Sequence, residues 1–241
     1  MVILTGFYNA EKYIERSLLS IMSQRFKDFT CYITHDMSTD NSVNIVKELI
    51  KDDNRFILID NYEKKLYQAG NFDNVIRYNK NISDNEVLVE VDGDDWLPDS
   101  NVLTRINEVY SDPNVWIANG SFKYSNGTTG FAKPQTNFEN LRSQVFTASH
   151  IRTWRAFLWR KIKEEDLKDV SGNYWSVAGD LSFMFPMLEM SGEKHFKYIS
   201  ETLYIYNESN PLNDHKVNMT KVSSTVNIIR NKLQYNLLQN V

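Results

Sequence analysis

Asp92, Asp94 and Asp95 crowd three carboxylates into four positions of the run Glu86-Val-Leu-Val-Glu-Val-Asp-Gly-Asp-Asp-Trp-Leu-Pro-Asp99. Like charges this close are costly unless a cation neutralises them, and oxygen ligands at alternate positions suit a hard divalent ion. Asp92-Gly93-Asp94 therefore reads as a site for a divalent metal and a diphosphate. A solvated turn is the plainer alternative, because Asp and Gly are common turn residues. An EF-hand loop is excluded: it needs oxygen at its fifth position and Glu at its twelfth, and Trp96 and Leu103 stand there.

The acids must be carried on an element. Val87, Leu88, Val89 and Val91 form a short apolar run that predicts a buried central strand ending at Asp92. Val2–Thr5 predicts a first strand, and Glu11–Ser23 a helix with Ile14, Leu18, Ile21 and Met22 on one face. The turn between them is Gly6-Phe7-Tyr8-Asn9. Cys31–Thr34 predicts a second strand, broken by His35–Asp40, where Asp40 is placed to cap a helix carrying Val43, Val46, Leu49 and Ile50. Phe56–Ile59 predicts a third strand and Phe72–Asn79 a helix with Val75 and Ile76 inside. This alternation predicts an α/β domain with a mostly parallel, doubly wound sheet and helices on both faces. Ligands of such sheets bind beyond the carboxyl ends of the strands, where Tyr8, Asn9, Asp36 and Asp92–Asp94 fall.

After Asp95 the period changes. Asn101–Tyr110 predicts a helix and Val115–Ala118 a strand. Phe122–Tyr124 and Thr128–Phe131 predict a hairpin turned at Asn126-Gly127, hence a small second sheet in the C-terminal half. His150–Lys163 reads as largely helical, burying Trp154, Phe157, Leu158 and Ile162 and exposing Arg155, Arg160, Lys161 and Lys163. Asp180–Met190 predicts an apolar helix, Phe196–Ile199 and Leu203–Tyr206 short strands, and Val222–Leu238 a helix with Val226, Ile229, Leu233 and Leu237 aligned.

Three separated segments carry a resemblance. Thr5-Gly-Phe-Tyr-Asn-Ala-Glu-Lys-Tyr-Ile14 with Ser20–Gln24, then Asp36-Met-Ser-Thr-Asp40, then Val91-Asp-Gly-Asp-Asp-Trp-Leu-Pro98 resemble the family 2 glycosyltransferases of the GT-A fold. Gly70–Asn74 is similar to that family's Gly- and Asn-containing helix. The resemblance covers roughly the first hundred residues and is fainter beyond. It implies a single domain: residues 1–99 as the donor-binding half, 100–218 as the acceptor-binding half, and 219–241 as a C-terminal helix. It implies inverting transfer of a sugar from a UDP-sugar, with GDP-sugar as second candidate, to a hydroxyl of a glycan or lipid-linked acceptor. Thr5, Phe7, Tyr8, Asn9, Asp36, Asp92, Gly93 and Asp94 would hold the donor. Asp36 resembles the family's base-contacting carboxylate, with a turn residue ahead of a helix as the alternative.

Within the same resemblance, Asp94 and Asp92 would hold Mn²⁺ or Mg²⁺, whose charge neutralises the departing diphosphate. His215, in the polar loop Asn210–Lys216, would join them, or be a surface histidine. The general base of an inverting transfer comes from an acidic pair at a helix start, and Asp180 is the candidate here. A helix cap is its alternative. Trp175 would floor the acceptor site or pack in the core, and His150 and Arg152 would reach a phosphate. Two departures stand out: Gly179 replaces the acidic neighbour of Asp180, and His35-Asp36-Met37-Ser38 replaces Asp-Asp-Gly-Ser. No Gln-x-x-Arg-Trp motif occurs, which argues against a processive synthase of the same family.

Composition narrows the remainder. Abundant aromatic residues with only nine Gly and five Pro among 241 exclude disordered and fibrous classes. A formal charge of −4 gives no basis for nucleic-acid binding. Cys31 is the one cysteine, so neither an intrachain disulfide nor a cysteine zinc site is expected. No window reads as a transmembrane span or signal peptide, so a soluble cytoplasmic protein is expected; peripheral membrane contact through the basic His150–Lys163 face is the lesser alternative, because that face is short. A non-catalytic nucleotide-sugar or glycan-binding module is the main alternative. A sugar-nucleotide pyrophosphorylase would want a Gly-rich, Arg-containing loop where Gly6-Phe-Tyr-Asn9 stands, and a nicotinamide dehydrogenase a Gly-x-Gly-x-x-Gly.

Overall fold

Apolar residues that alternate along the strands decide the layering, because each strand must bury both faces under helices. In the computed structural model, which describes residues 1–213, 216 and 219–239, seven strands form one sheet in the order β3-β2-β1-β4-β6-β5-β7. The first half runs β1 (Val2–Phe7), α1 (Ile14–Met22), β2 (Thr30–Asp36), α2 (Ser42–Ile50), β3 (Phe56–Asn61), α3 (Tyr67–Ile76) and β4 (Val87–Glu90). Its four strands pair in parallel, as the alternation predicts.

Alternate residues feed two cores. Leu4, Leu88 and Trp154 join one with Phe72 of α3. Ile3, Val89 and Val91 join the other with Ile14 and Leu18 of α1. Ile3, Leu4, Leu88 and Val89 are fully buried, each worth about 1.5–3 kcal/mol of transfer free energy.

The second half continues the same sheet instead of building a small second one. After α4 (Val102–Val109), β5 (Ile117–Tyr124) pairs in parallel with β7 (Phe196–Tyr206), and β6 (Arg152–Arg155) lies antiparallel between β4 and β5. The turn at Asn126-Gly127 forms as predicted, with Gly127 at φ 90° and the Tyr124 amide donating to Thr128. Its returning segment makes only an isolated bridge from Thr129 to Lys123.

His150–Lys163 is corrected from one helix to a strand followed by the short helix α5 (Ala156–Arg160). Trp154, Phe157, Leu158 and Ile162 are buried as expected, but Trp154 packs from the sheet. Arg155 and Arg160 do not form a solvated face. Arg155 donates to the carbonyls of Val115, Asn85 and Tyr110, and Arg160 to those of Ile76, Asn79 and Ile82. Lys161 and Lys163 are exposed.

Helix α6 (Gly179–Ser191) matches the apolar helix read from the sequence, and Phe196–Tyr206 is one strand with register shifts near Ser121, not two. The last helix, α7 (Met219–Arg230), stops early. Leu233 and Leu237 lie beyond it and are exposed, so the predicted helical alignment ends at Ile229.

Candidate active site

Parallel strands deliver their carboxyl ends to one edge of the sheet, and a cleft of about 940 Å³ opens there. Asp36 from the end of β2, Asp92 and Asp94 after β4, and Asp180 from the first turn of α6 all line it. Phe7, Tyr8, His150, Arg152 and Trp175 line it too.

Asp36 is 5% exposed and points into the start of α3. Its carboxylate accepts from the Leu66 amide at 2.8 Å and the Tyr67 amide at 3.1 Å. Orphan amides at a helix start attract an anionic side chain, which explains why the chain turns here. Lys65 sits 4.0 Å from Asp36 and 2.8 Å from the centre of the Tyr8 ring, so a cation and an aromatic face border the carboxylate. Burial lowers the Lys65 pKa, and the Asp36 charge pulls it back up.

The three acids after β4 divide into different tasks. Asp95 is 1% exposed and turned inward. It accepts from the Tyr204 hydroxyl at 2.7 Å and the Asn207 amide at 2.6 Å. Trp96 and Ile205 exchange backbone bonds alongside, so Asp95, though it borders the cleft, fastens the acidic loop to β7. Asp92 and Asp94 are half-buried at the cleft floor. Gln68 donates to Asp92 at 3.2 Å and Asn210 to Asp94 at 2.7 Å. Burial, then the Asp94 charge, pushes the Asp92 carboxyl up to about 7. Burial also raises Asp94. Burial leads both shifts, and two half-buried carboxylates at alternate positions on the cleft fit a hard divalent cation.

A second acidic cluster is nearby. Ligand atoms of Glu90, Asp92 and His150 lie within 4.8 Å of one another, and Glu90 Oε2 and His150 Nδ1 are buried without a partner among the described residues. Glu90 Oε1, however, already accepts from Arg152 at 2.7 Å and Gln68 at 2.8 Å. The guanidinium supplies the positive charge at Glu90, leaving Asp92 and Asp94 as the donor pair suited to an ion. His150 stacks on Tyr204 with ring centres 4.4 Å apart, and burial drives its pKa well down, so the ring is neutral.

Arg152 also donates to Asp180 at 2.6 Å. The residue ahead of Gly179, Ala178, takes a left-handed φ of 51°, a strained value for alanine. Trp175 is 7% exposed, gives its indole N–H to the Asp166 carbonyl and packs in the core, so it is a core residue with one edge at the cleft.

Thr5, Asn9 and Gly93 lie outside the cleft lining. Thr5 is buried against Cys31. Asn9 accepts from the Thr39 amide and donates its own amide to Ser38, tying the β1 and β2 turns together. Gly93 packs against β1, where a Cβ would stand 2.7 Å from Phe7 Cβ and 2.9 Å from the Gly6 oxygen. His215 falls outside the described residues. Glu90, Gln68, Tyr204 and Asn210 were not foreseen. Glu90 alone left a signal, as a charge inside the apolar run Val87–Val91.

Residues 2–178 match the sequence model of glycosyl transferase family 2. The chain belongs to that family. GlyA, a glycosyltransferase of Streptococcus pneumoniae, is 32% identical over an alignment 225 residues long that covers 86% of this chain and 30% of GlyA. Among solved structures, residues 1–349 of S. aureus TarS in complex with UDP-GlcNAc superpose with a TM-score of 0.69 at 16% identity, covering 95% of this chain and 65% of that one. The mannosyltransferase PcManGT of Pyrobaculum calidifontis, in complex with GDP-Man and Mn²⁺, superposes at 0.55 and 14% identity over 88% of this chain and 57% of its own. The glycosyltransferase fold is thus the GT-A type implied by the motifs. This family 2 chain spans 30% to 59% of the lengths of two curated relatives that match most of it. No helix among its described residues is long and apolar enough to cross a membrane.

Proposed function

We propose that this chain transfers a sugar, with inversion, from a nucleoside-diphosphate sugar to an acceptor hydroxyl on a glycan or lipid-linked acceptor. The observation that carries the reading is the alignment of Asp36, the Asp92/Asp94 pair and Asp180 along one cleft. Asp36, Lys65 and Tyr8 offer an acceptor, a donor and an aromatic face to a nucleobase. A divalent ion at Asp92 and Asp94 would neutralise the charge that builds on the leaving diphosphate. Asp180 takes the proton of the attacking hydroxyl. Arg152 occupies its Oδ2, and Oδ1 has no partner among the described residues, so Oδ1 is the proton acceptor.

UDP is favoured as the nucleotide because TarS, the family fold with the higher superposition score, is seen with UDP-GlcNAc. GDP is the second candidate, from the GDP-Man complex of PcManGT, whose Mn²⁺ also supports the metal. A cytoplasmic role in assembling cell-surface polysaccharide goes with this reading. The test is calorimetric titration of UDP and GDP with and without Mn²⁺, on the wild type and Asp94→Ala. Metal-dependent binding lost in the variant supports the reading; absence of binding for both nucleotides under every metal condition overturns it in favour of a non-catalytic module.

A further inference from the structure

Glu90 is a fully buried carboxylate that the acid motif does not use. Strand β6 pairs antiparallel with β4, with Val89 opposite Thr153, so the next step of the register sets Glu90 opposite Arg152. Arg152 is itself 5% exposed, and its two terminal nitrogens bond Glu90 at 2.7 Å and Asp180 at 2.6 Å. Gln68 of α3 joins Glu90 to Asp92. One chain of bonds, Asp92–Gln68–Glu90–Arg152–Asp180, therefore runs along the cleft from the acidic loop to the start of α6.

Asp180 sits on the terminal turn of α6, which has no side-chain cap. Helix ends fray, so the turn alone fixes a carboxylate poorly. The buried guanidinium is planar and bonds in a fixed fork geometry, and it is anchored to a central strand. It holds its charge here because Glu90, Asp180 and Asp92 surround it, against the cost of burial.

We propose that Arg152 and Glu90 are positioning residues for the base. Arg152 sets the Asp180 carboxylate, and Glu90 acts through Arg152 by fixing its orientation. The inference rests on the reading of Asp180 as base. It makes the distance from the leaving diphosphate to the proton acceptor a property of the sheet, not of the α6 terminus.

The test pairs crystal structures with turnover in Arg152→Met, Arg152→Lys, Glu90→Gln, the double variant Glu90→Gln/Arg152→Met, and Asp180→Asn. The turnover probes are release of UDP from UDP-GlcNAc and of GDP from GDP-Man, with Mn²⁺ and water as acceptor. In Arg152→Met the Asp180 carboxylate leaves its position beside β6 and kcat falls about a hundredfold, the usual consequence of an ångström of misplacement. The UDP affinity changes by less than about twofold, and Arg152→Lys regains about a tenth or more of the rate. Glu90→Gln falls about tenfold, and the double variant is no slower than Arg152→Met, because Glu90 works through the arginine. Should Arg152→Met fail to fold, Arg152→Lys with and without Glu90→Gln completes the same cycle.

An unmoved Asp180 in folded Arg152→Met overturns the proposal whatever the turnover. A tenfold loss of UDP affinity with kcat preserved also overturns it and makes Arg152 a diphosphate ligand. Inactive Asp180→Asn beside fully active Arg152→Met removes the positioning role alone. Fully active Asp180→Asn removes the base assignment, and the positioning role with it.

Discussion

The Tyr204 hydroxyl donates to Asp95 Oδ2 at 2.7 Å and accepts from the Asp92 amide at 3.1 Å. A strand from the second half of the chain thereby fixes both ends of the acidic loop that follows β4. Removing the hydroxyl leaves one buried amide without an acceptor and a buried carboxylate with one donor fewer, at about 1–3 kcal/mol. Tyr204→Phe is expected to lower Tm by several degrees, read by circular dichroism, and to weaken Mn²⁺ binding. An unchanged melting curve would mean that the loop holds itself.

Gly93 is set by backbone proximity. A methyl group there meets Phe7 Cβ at 2.7 Å and the Gly6 oxygen at 2.9 Å, neither of which is the tip of a flexible side chain. Gly93→Ala should destabilise the fold by about 1–3 kcal/mol through overpacking. A denaturant melt measures this, and a loss below about 0.5 kcal/mol would show that β1 and the loop can separate at little cost.

Metal binding should depend on pH in a defined direction. Burial and the Asp94 charge raise the Asp92 carboxyl to about 7, so below that pH an incoming ion must displace a proton. Mn²⁺ affinity is expected to rise about tenfold per pH unit up to about pH 7 and then level off. Calorimetry at about pH 6, 7 and 8 tests the shape, and an affinity flat across that range would show that the ion displaces no proton from Asp92 there.

Helix α6 carries Asp180, and a buried ion pair holds its far end. Arg142 donates to both oxygens of Glu189 and to the Ile229 carbonyl of α7, while the Tyr235 amide also donates to Glu189. Arg142→Met leaves the Glu189 charge buried and short of donors, at about 3–5 kcal/mol. The double variant Arg142→Met/Glu189→Met should recover most of that loss, because an apolar pair of similar volume carries no stranded charge. Chemical denaturation of both variants decides the matter.

What could be read locally came out as read. The alternation of apolar runs in residues 1–99 specified four parallel strands, and charge at the end of an apolar run specified a strand terminus that opens on the cleft. Arg152–Arg155 was misread because both faces of β6 are buried. A short, doubly buried strand has no polar side to show its period of two, so it runs into the helix that follows. The last helix was overextended because Leu233 and Leu237 keep helical spacing without being helical.

The sequence by itself determined the sheet's first half, the family motifs and the clustering of acids at its edge, since these follow from neighbours along the chain. Only the tertiary structure decided which donors each acid meets. Asp95 turns inward because Tyr204 and Asn207, more than a hundred residues away, supply its donors. Glu90 gains its place because β6 inserts Arg152 beside it. A carboxylate's role depends on which donors surround it in space, and those donors come from strands whose pairing no local pattern records.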